Sequence, residues 1–143
     1  MKYDDASWHY GGDFPNDLPD EAGATHTGMF FAWCLLNGFA GEDFSEEPEE
    51  LERLRDRKVT PGRFFLESCD GKFVDEDLNE EGQAFTQAYF DFESGDYIPD
   101  YEGLLAKGLP STYHVQDTWA NYDLLAPLIE DRFKNWRTEK DSE

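Results

Sequence analysis

The chain has 143 residues, of which 33 are acidic and 12 are lysine or arginine, so its formal net charge is −21. The length fits one domain of ordinary size, and the charge disfavours nucleic acids and anionic membranes as partners, because both are bound chiefly through Lys and Arg. The 12 Phe, 7 Tyr and 4 Trp argue against an acidic disordered chain, which would be poor in aromatic residues.

The N-terminal segment predicts an irregular arm followed by the central helix of the fold. Residues 1–18 combine Asp, Gly and Pro with scattered aromatic residues and show no apolar period. Pro19 and the acids after it are typical of a helix start, and Gly38 of a helix end, which predicts a helix over 19–38. Residues 29–36 are apolar on every face, so this helix should be buried in the core.

Two further helices follow the first. Acids at 46–50 and arginines at 53–57 suit the two ends of a helix over 46–57, with Ser45 as its cap. Thr60 as cap, Pro61 at the first helical position and Gly71 at the end predict a short, mostly buried helix.

The second half of the chain predicts three more helices. Asn79 caps a helix over 79–92, and a short helix lies near 100–106. Apolar residues then recur every three or four positions in the last helix; they are Tyr122, Leu125, Ile129, Phe133 and Trp136. Pro127 leaves two interpretations open: it lies in the first turn of this helix, or it kinks a helix that begins near Gln116.

These elements predict an all-α fold. We find no alternating strand pattern longer than four residues, no repeat and no linker. We therefore expect one compact domain of about five to six helices around a buried central helix over residues 1–137, with 138–143 as a frayed tail. The N-terminus lacks the pattern of a signal peptide, so we expect a cytoplasmic protein whose Cys34 and Cys69 stay reduced.

The residues that usually carry catalysis or bind metals form no recognisable motif. His9, His26 and His114 lie on three separate elements, and no pair has the spacing of a helical metal site. A metal site assembled in three dimensions from histidines and a carboxylate stays open as an alternative. Both cysteines lie in apolar patterns that do not suit a nucleophile. We expect no catalytic residue, no bound metal and no cofactor.

One loop is unusual for a segment that only packs against the core. Hydrogen-bonding aromatic residues stand beside two glycines in the segment 7–12. One interpretation is a pocket formed by Trp8, His9, Tyr10 and His26. The other is an arm whose aromatic side chains close over the central helix, with the glycines allowing the turns.

The charge distribution points to a binding surface. From Phe73 to Ala106 the sequence has ten acids and no Lys or Arg, with aromatic residues interleaved. Acids speed the encounter with a basic partner, and buried aromatic side chains supply binding energy. The alternative is an ordinary solvated face that keeps the protein in solution. The interface residues predicted from this segment are Asp91, Glu93, Asp96, Tyr97, Asp100 and Tyr101.

The segment from Lys2 to Trp33 reads KYDDASWHYGGDFPNDLPDEAGATHTGMFFAW. It resembles the N-terminal segment of a family of small, acidic, uncharacterised proteins of the domain-of-unknown-function kind, common in proteobacteria. The aromatic segment 119–122 resembles the same family more weakly. Some members of such families lie beside polymorphic toxins and are suspected immunity proteins. The resemblance implies a binding function and carries over no catalytic motif.

The sequence thus predicts an acidic, protein-binding module, and its favoured specific form is an immunity protein or antitoxin that occludes a basic, nuclease-like toxin domain. Two alternatives come from other classes. One is a pocket protein that binds a small molecule or metal through the Trp8–Tyr10 loop and His26. The other is a DNA-mimicking regulator, which would need carboxylates spaced like the phosphates of DNA.

Overall fold

The computed structural model describes residues 2–9, 15, 17–46, 48–91 and 95–141. The helices of this part are α1 (Thr25–Leu36), α2 (Glu42–Ser45), α3 (Pro48–Arg55), α4 (Pro61–Cys69), α5 (Glu80–Tyr89), α6 (Tyr97–Leu105) and α7 (Trp119–Asp141). Two short strands, β1 (Lys2–Asp5) and β2 (Lys72–Val74), form a small sheet. Short 3-10 turns cover Ala6–His9, Asp20–Ala24, Asp75–Asp77 and Thr112–His114. The predicted helical fold is confirmed.

Helix α1 forms the centre of the fold, as its sequence predicted. Every residue from Thr25 to Leu35 is buried, because the helix is enclosed by neighbours on all sides, among them α3, α4 and α7. Phe30 and Phe31 are fully buried and contact other aromatic rings from several elements. The predicted first helix over 19–38 is two elements, since its N-terminal part, Asp20–Ala24, is a 3-10 turn.

The predicted helix over 46–57 is divided. The structure has a four-residue helix, α2, that ends at Ser45, and α3, which begins at Pro48. Proline suits the first position of a helix and disfavours helical backbone at the residue before it. The proline therefore separates two helices where the charge pattern alone predicted one.

Helix α4 begins at Pro61 as predicted, but its cap comes from elsewhere in the chain. The side chain of Thr60 makes no capping hydrogen bond. Instead, the Asp117 carboxylate accepts hydrogen bonds from the backbone amides of Gly62, at 2.8 Å, and Arg63, at 3.1 Å. Thr60 Oγ1 donates to the same carboxylate at 2.5 Å. A free helix N-terminus is thereby satisfied by an acid far away in the sequence.

The second half of the chain follows the predicted helices closely. Asn79 caps α5 by accepting a hydrogen bond from the Gly82 amide at 2.9 Å. Helix α6 begins at Tyr97, three residues earlier than expected. Pro127 lies inside α7, which starts at Trp119, so the earlier of the two predicted starts is closer to the structure. This helix continues to Asp141, beyond the tail boundary predicted at 138.

The prediction of an irregular N-terminal arm is wrong for residues 2–9, which form a strand and a 3-10 turn. Strand β1 pairs antiparallel with β2, with Asp4 opposite Phe73 and Asp5 opposite Lys72. The pattern Lys-Tyr-Asp-Asp has no apolar alternation, because the two aspartates are the buried residues of this strand. Residues 1, 10–14 and 16 of the predicted arm lie outside the described residues.

The turn before β2 fixes the course of the chain after β1. Asp70 and Gly71 have positive φ angles of 54° and 73°, which closes α4 and reverses the chain into the strand. The Gly71 carbonyl accepts a hydrogen bond from the Ala6 amide at 2.8 Å. This contact positions the 3-10 turn that carries His9.

Two findings concern the chain as a whole. Cys34 and Cys69 are free thiols, the first buried and the second half-buried. In the part of the chain that the structure describes, no helix combines the length and the apolar surface that a membrane span requires.

Candidate functional site

Three elements bring a buried carboxylate and two imidazoles together. Asp4 comes from β1, His9 from the 3-10 turn that follows it, and His26 from the first turn of α1. The side chain of Asp4 is fully buried, and His26 is 2% exposed. The two imidazole rings meet edge to face with centroids 4.7 Å apart. We call Asp4, His9 and His26 the Asp–His cluster.

Hydrogen bonds hold the Asp–His cluster in one arrangement. His9 Nε2 lies 2.9 Å from Asp4 Oδ1 and 3.1 Å from Oδ2. The other ring nitrogen of His9, Nδ1, lies 2.8 Å from the Tyr113 hydroxyl. Thr27 donates its hydroxyl to Asp4, and Tyr97 donates its hydroxyl to the backbone carbonyl of His26. Both ends of the His9 ring are thus fixed.

The charges of the Asp–His cluster follow from burial and contact. Burial alone would raise the pKa of Asp4, but the neighbouring imidazoles of His26 and His9 outweigh it and hold that pKa well below its usual value. Burial lowers the pKa of His26, and Asp4 opposes this shift only in part. The cluster therefore contains an ionised carboxylate beside a neutral His26 imidazole near pH 7.

A cavity of about 580 Å³ opens beside the two histidines. Its polar lining includes His9, His26 and Tyr113, with Glu102 and Thr112 further along. Its apolar lining consists of Ile98, Ala106, Leu109 and Pro110. We call it the histidine cavity. Concave sites that combine apolar lining with a few fixed polar groups are typical of small-molecule sites.

Another cavity has a different character. It has a volume of about 700 Å³ and lies between α2, α3 and α4. Its lining is dominated by acids, among them Glu46 and Glu50, together with the Arg53–Glu67 ion pair. This ion pair is exposed, with both side chains about 40% accessible, so it offers a solvated surface rather than a preorganised site.

Comparison with known proteins adds the family of the chain. Residues 2–115 match the family described as domain of unknown function (DUF7832). The chain belongs to the DUF7832 family. No curated protein and no solved structure matches it. The predicted membership of a domain-of-unknown-function family is confirmed.

All residues of the Asp–His cluster, and Tyr113 beside it, lie inside the DUF7832 match. Helix α7 lies outside the matched range, which ends at residue 115. The residues that line the histidine cavity therefore all lie inside the matched range.

The structure brings together half of the predicted pocket residues. His9 and His26 lie side by side and line the histidine cavity. Trp8 is 56% exposed, and its ring contacts the Lys2 amino group at 5.5 Å from the centroid instead of lining the cavity. Tyr10 lies outside the described residues.

The predicted interface in the DUF7832 chain requires a correction at its two tyrosines. Tyr97 and Tyr101 are fully buried core residues. Their rings pack 5.9 Å apart between centroids, and Tyr97 also stacks on Phe90 at 5.3 Å. A side chain without exposed surface cannot anchor a partner, so the predicted anchoring role of both tyrosines is wrong for this structure.

The acids of this predicted interface have mixed environments. Asp100 is 11% exposed and binds the Arg132 guanidinium through two hydrogen bonds of 2.9 Å, while Tyr89 donates to it at 2.7 Å. The Asp96 side chain is 64% exposed and lies 3.6 Å from Arg132. Asp91 is exposed, and Glu93 lies outside the described residues. The segment 73–106 contains no Lys or Arg, but in the folded protein Arg132 of α7 lies beside two of its acids.

Sequence reasoning missed Asp4, Thr27 and Tyr113. Asp4 stands in a four-residue strand without alternation, where an acid is normally taken as exposed. Tyr113 is separated from His9 by 104 positions, so no local spacing links them. The clue that was available is the density of hydrogen-bonding side chains around His9, which predicted a pocket without identifying its partners.

Proposed function

We propose that this DUF7832 protein binds a small molecule in the histidine cavity, with a polar group of the ligand against the imidazoles. The supporting observation is that His9, His26 and Tyr113, from three separate elements, converge on one cavity. The rest of its lining is mixed: four apolar residues stand beside Glu102, Ser111 and Thr112. Such a lining suits a ligand with a polar end and a compact apolar body. The fixed His9 ring costs little entropy on binding because it is already oriented.

Binding rather than catalysis is the activity we propose. Burial raises the pKa of the Cys34 thiol and of the Cys69 thiol well above the usual value, and a reactive thiol needs the opposite shift.

Free thiols also favour a reducing compartment, so we place the protein in the bacterial cytoplasm.

Filling the cavity should abolish ligand retention. Ala106 lines the cavity and carries a small side chain, so in the Ala106→Trp variant the indole would occupy the ligand's volume. Lys107→Trp is the matched control, because residue 107 is exposed and outside the lining. We expect the wild type and Lys107→Trp to release the same small molecule on denaturation, measured by mass spectrometry, and Ala106→Trp to release none.

Circular dichroism should show that both tryptophan variants fold. Release of the molecule from Ala106→Trp at wild-type levels would contradict the proposal, since a filled cavity cannot hold it. Absence of a released molecule from all three proteins, after purification from the native host, would contradict it as well.

A second candidate function is the binding of a basic protein, with an immunity protein that occludes a nuclease-like toxin as the specific form. It is favoured by the net charge of −21 and by exposed acids along residues 73–106, such as Glu76, Glu80, Asp91 and Asp96. A DNA-mimicking regulator would use the same kind of surface against a DNA-binding protein. The charge also disfavours nucleic acid and anionic membranes as partners.

Charge reversal on the exposed acids should slow binding to such a partner. We expect Asp91→Lys/Asp96→Lys to associate more slowly with a basic protein recovered from the native host, and with a weaker dependence on salt. The control is Glu49→Lys/Glu52→Lys on α3, which changes the charge equally at two exposed positions. Asp100 is left intact because Arg132 depends on it. Surface plasmon resonance at two salt concentrations measures both rates.

An association rate of Asp91→Lys/Asp96→Lys equal to that of the α3 control would contradict this candidate. Equal rates would mean that any slowing reflects the net charge rather than a surface along residues 73–106.

A further inference from the structure

The Asp–His cluster has the composition of a metal site. One ligand atom from each of Asp4, His9 and His26 can be chosen so that all lie within 4.8 Å of one another. Two imidazole nitrogens and one carboxylate oxygen are ligands that first-row transition metals such as Zn²⁺ accept. Ca²⁺ and Mg²⁺ prefer oxygen ligands throughout, so the composition disfavours them.

Two distances between the ligand atoms are compatible with one bound ion. Bonds of about 2.0–2.2 Å to a tetrahedral Zn²⁺ place its ligand atoms roughly 3.3–3.6 Å apart. His26 Nε2 lies 3.5 Å from Asp4 Oδ2, and His9 Nε2 lies 3.1 Å from the same oxygen. For a hydrogen bond the His26 separation is at the outer limit, whereas for two ligands of one ion it is ordinary.

The contacts around the Asp–His cluster orient His9 and Asp4 as metal sites require. A histidine that binds through Nε2 needs its Nδ1–H held by a second group, and Tyr113 Oη lies 2.8 Å from His9 Nδ1. Thr27 donates to the Asp4 carboxylate and fixes its rotation. Tyr97 holds the backbone of His26 through its carbonyl. Each ligand also stands on a different, packed element, which limits its movement.

The cluster faces the histidine cavity with the two imidazoles, since His9 and His26 both line it. Asp4 lies behind them and is fully buried. Three protein ligands leave a coordination position of a tetrahedral ion for a water or for a ligand atom. We would place a water or ligand atom from the histidine cavity at that position, since both imidazoles line this cavity.

From these observations we propose that Asp4, His9 and His26 bind one divalent transition-metal ion of the Zn²⁺ class, which forms the polar base of the histidine cavity. This inference rests on the proposed ligand-binding function of the cavity and names the group that its polar end would meet. A carboxylate, hydroxyl or other oxygen donor of the small molecule would complete the coordination.

Zinc titration of the full chain tests the inference. The purified protein is dialysed against a chelator, and ZnCl₂ is added in an isothermal titration calorimeter. We expect saturable binding of one equivalent to the wild type. Co²⁺ is the second probe, and its visible absorption should have the intensity of a tetrahedral complex with nitrogen and oxygen ligands.

Three variants separate this site from other histidines. His9→Asn keeps an amide where Nδ1 meets Tyr113 and removes Nε2, so it should lose the zinc site. His114→Asn is the matched control, because His114 pairs with Asp17 at 3.0 Å and lies outside the cluster. Tyr113→Phe removes only the orienting hydroxyl and should weaken zinc binding by about 10–100-fold. Circular dichroism checks that each variant folds.

Unchanged zinc affinity in His9→Asn, an equal loss in His114→Asn, or no saturable binding to the wild type at micromolar zinc would overturn the inference. The release assay with Ala106→Trp keeps the two proposals apart. If the chelator-treated protein retains a small molecule but binds no zinc, this result supports ligand binding in the cavity and contradicts the metal site. If zinc binds at the cluster and no protein releases a small molecule, the metal site is supported and the ligand-binding proposal is contradicted.

Discussion

Replacing Phe30 by alanine is expected to lower the free energy of unfolding by about 3–5 kcal/mol. Phe30 is fully buried on α1, and its ring touches aromatic rings from β2, α5 and α6. The centroid distances run from 5.0 Å to 6.4 Å, and the neighbours are Trp33, Phe73, Phe85, Tyr89, Phe90 and Tyr97. The change removes this burial and leaves a cavity that rigid neighbouring rings cannot fill.

Urea denaturation followed by circular dichroism measures the change. The control is Leu124→Ala on α7, because Leu124 is 59% exposed and its loss should shift the free energy by no more than about 0.5 kcal/mol. A loss below about 1 kcal/mol in Phe30→Ala would mean that α1 is not the centre of the core.

A single added methyl group at Gly28 should destabilise the fold by a value near the upper end of about 1–3 kcal/mol. A Cβ at this position would lie 2.7 Å from Gly62 Cα and 2.8 Å from the Pro61 carbonyl oxygen. Both atoms belong to the backbone of α4, so the two helices must move apart to accept it. This movement also disturbs the first turn of α4, where the Asp117 carboxylate binds the Gly62 amide.

Gly103→Ala is the matched control for Gly28→Ala. Gly103 lies in α6, and a Cβ there would meet no atom within 4 Å. Alanine favours helix over glycine by up to about 1 kcal/mol, so this variant should gain stability. Opposite signs in urea denaturation are therefore expected for the same substitution. If Gly28→Ala matched the stability gain of Gly103→Ala, the close approach of α1 and α4 would be refuted.

The helices of this fold follow from local signals. The apolar run of α1, the cap at Asn79 and Pro61 at the start of α4 each act through the residues beside them, and each predicted its helix correctly. The sheet does not follow from such signals. Its buried acids, Asp4 and Asp5, contact His9 and Lys2 nearby in the chain. Their strand forms only by pairing with β2, far away in the sequence, at Phe73 and Lys72.

The candidate site could be predicted only in part for the same reason. The aromatic loop around His9 indicated a pocket, and His26 was correctly paired with it. Asp4 and Tyr113 could not be added, because the contact between His9 and Tyr113 spans 104 positions and arises from the packing of separate elements. Geometry of this kind has no periodicity in sequence.

The acidic segment illustrates the opposite error. Residues 73–106 have no base of their own, yet Arg132 of α7 binds Asp100 and lies near Asp96. Arg137 of the same helix lies 3.8 Å from Glu81. Counting charges along the chain therefore overstated the unopposed charge, since helices distant in sequence supply the compensating bases. The burial of Tyr97 and Tyr101 further weakens the evidence for an interface in this segment.

The proposed function makes the histidine cavity a binding site. The most direct measurement is a crystal structure of the protein purified from its native host without added ligand. We expect electron density for a bound group in contact with the imidazoles of His9 and His26. Density for ordered water alone throughout the cavity, with a bound group at another place on the protein, would contradict the claim.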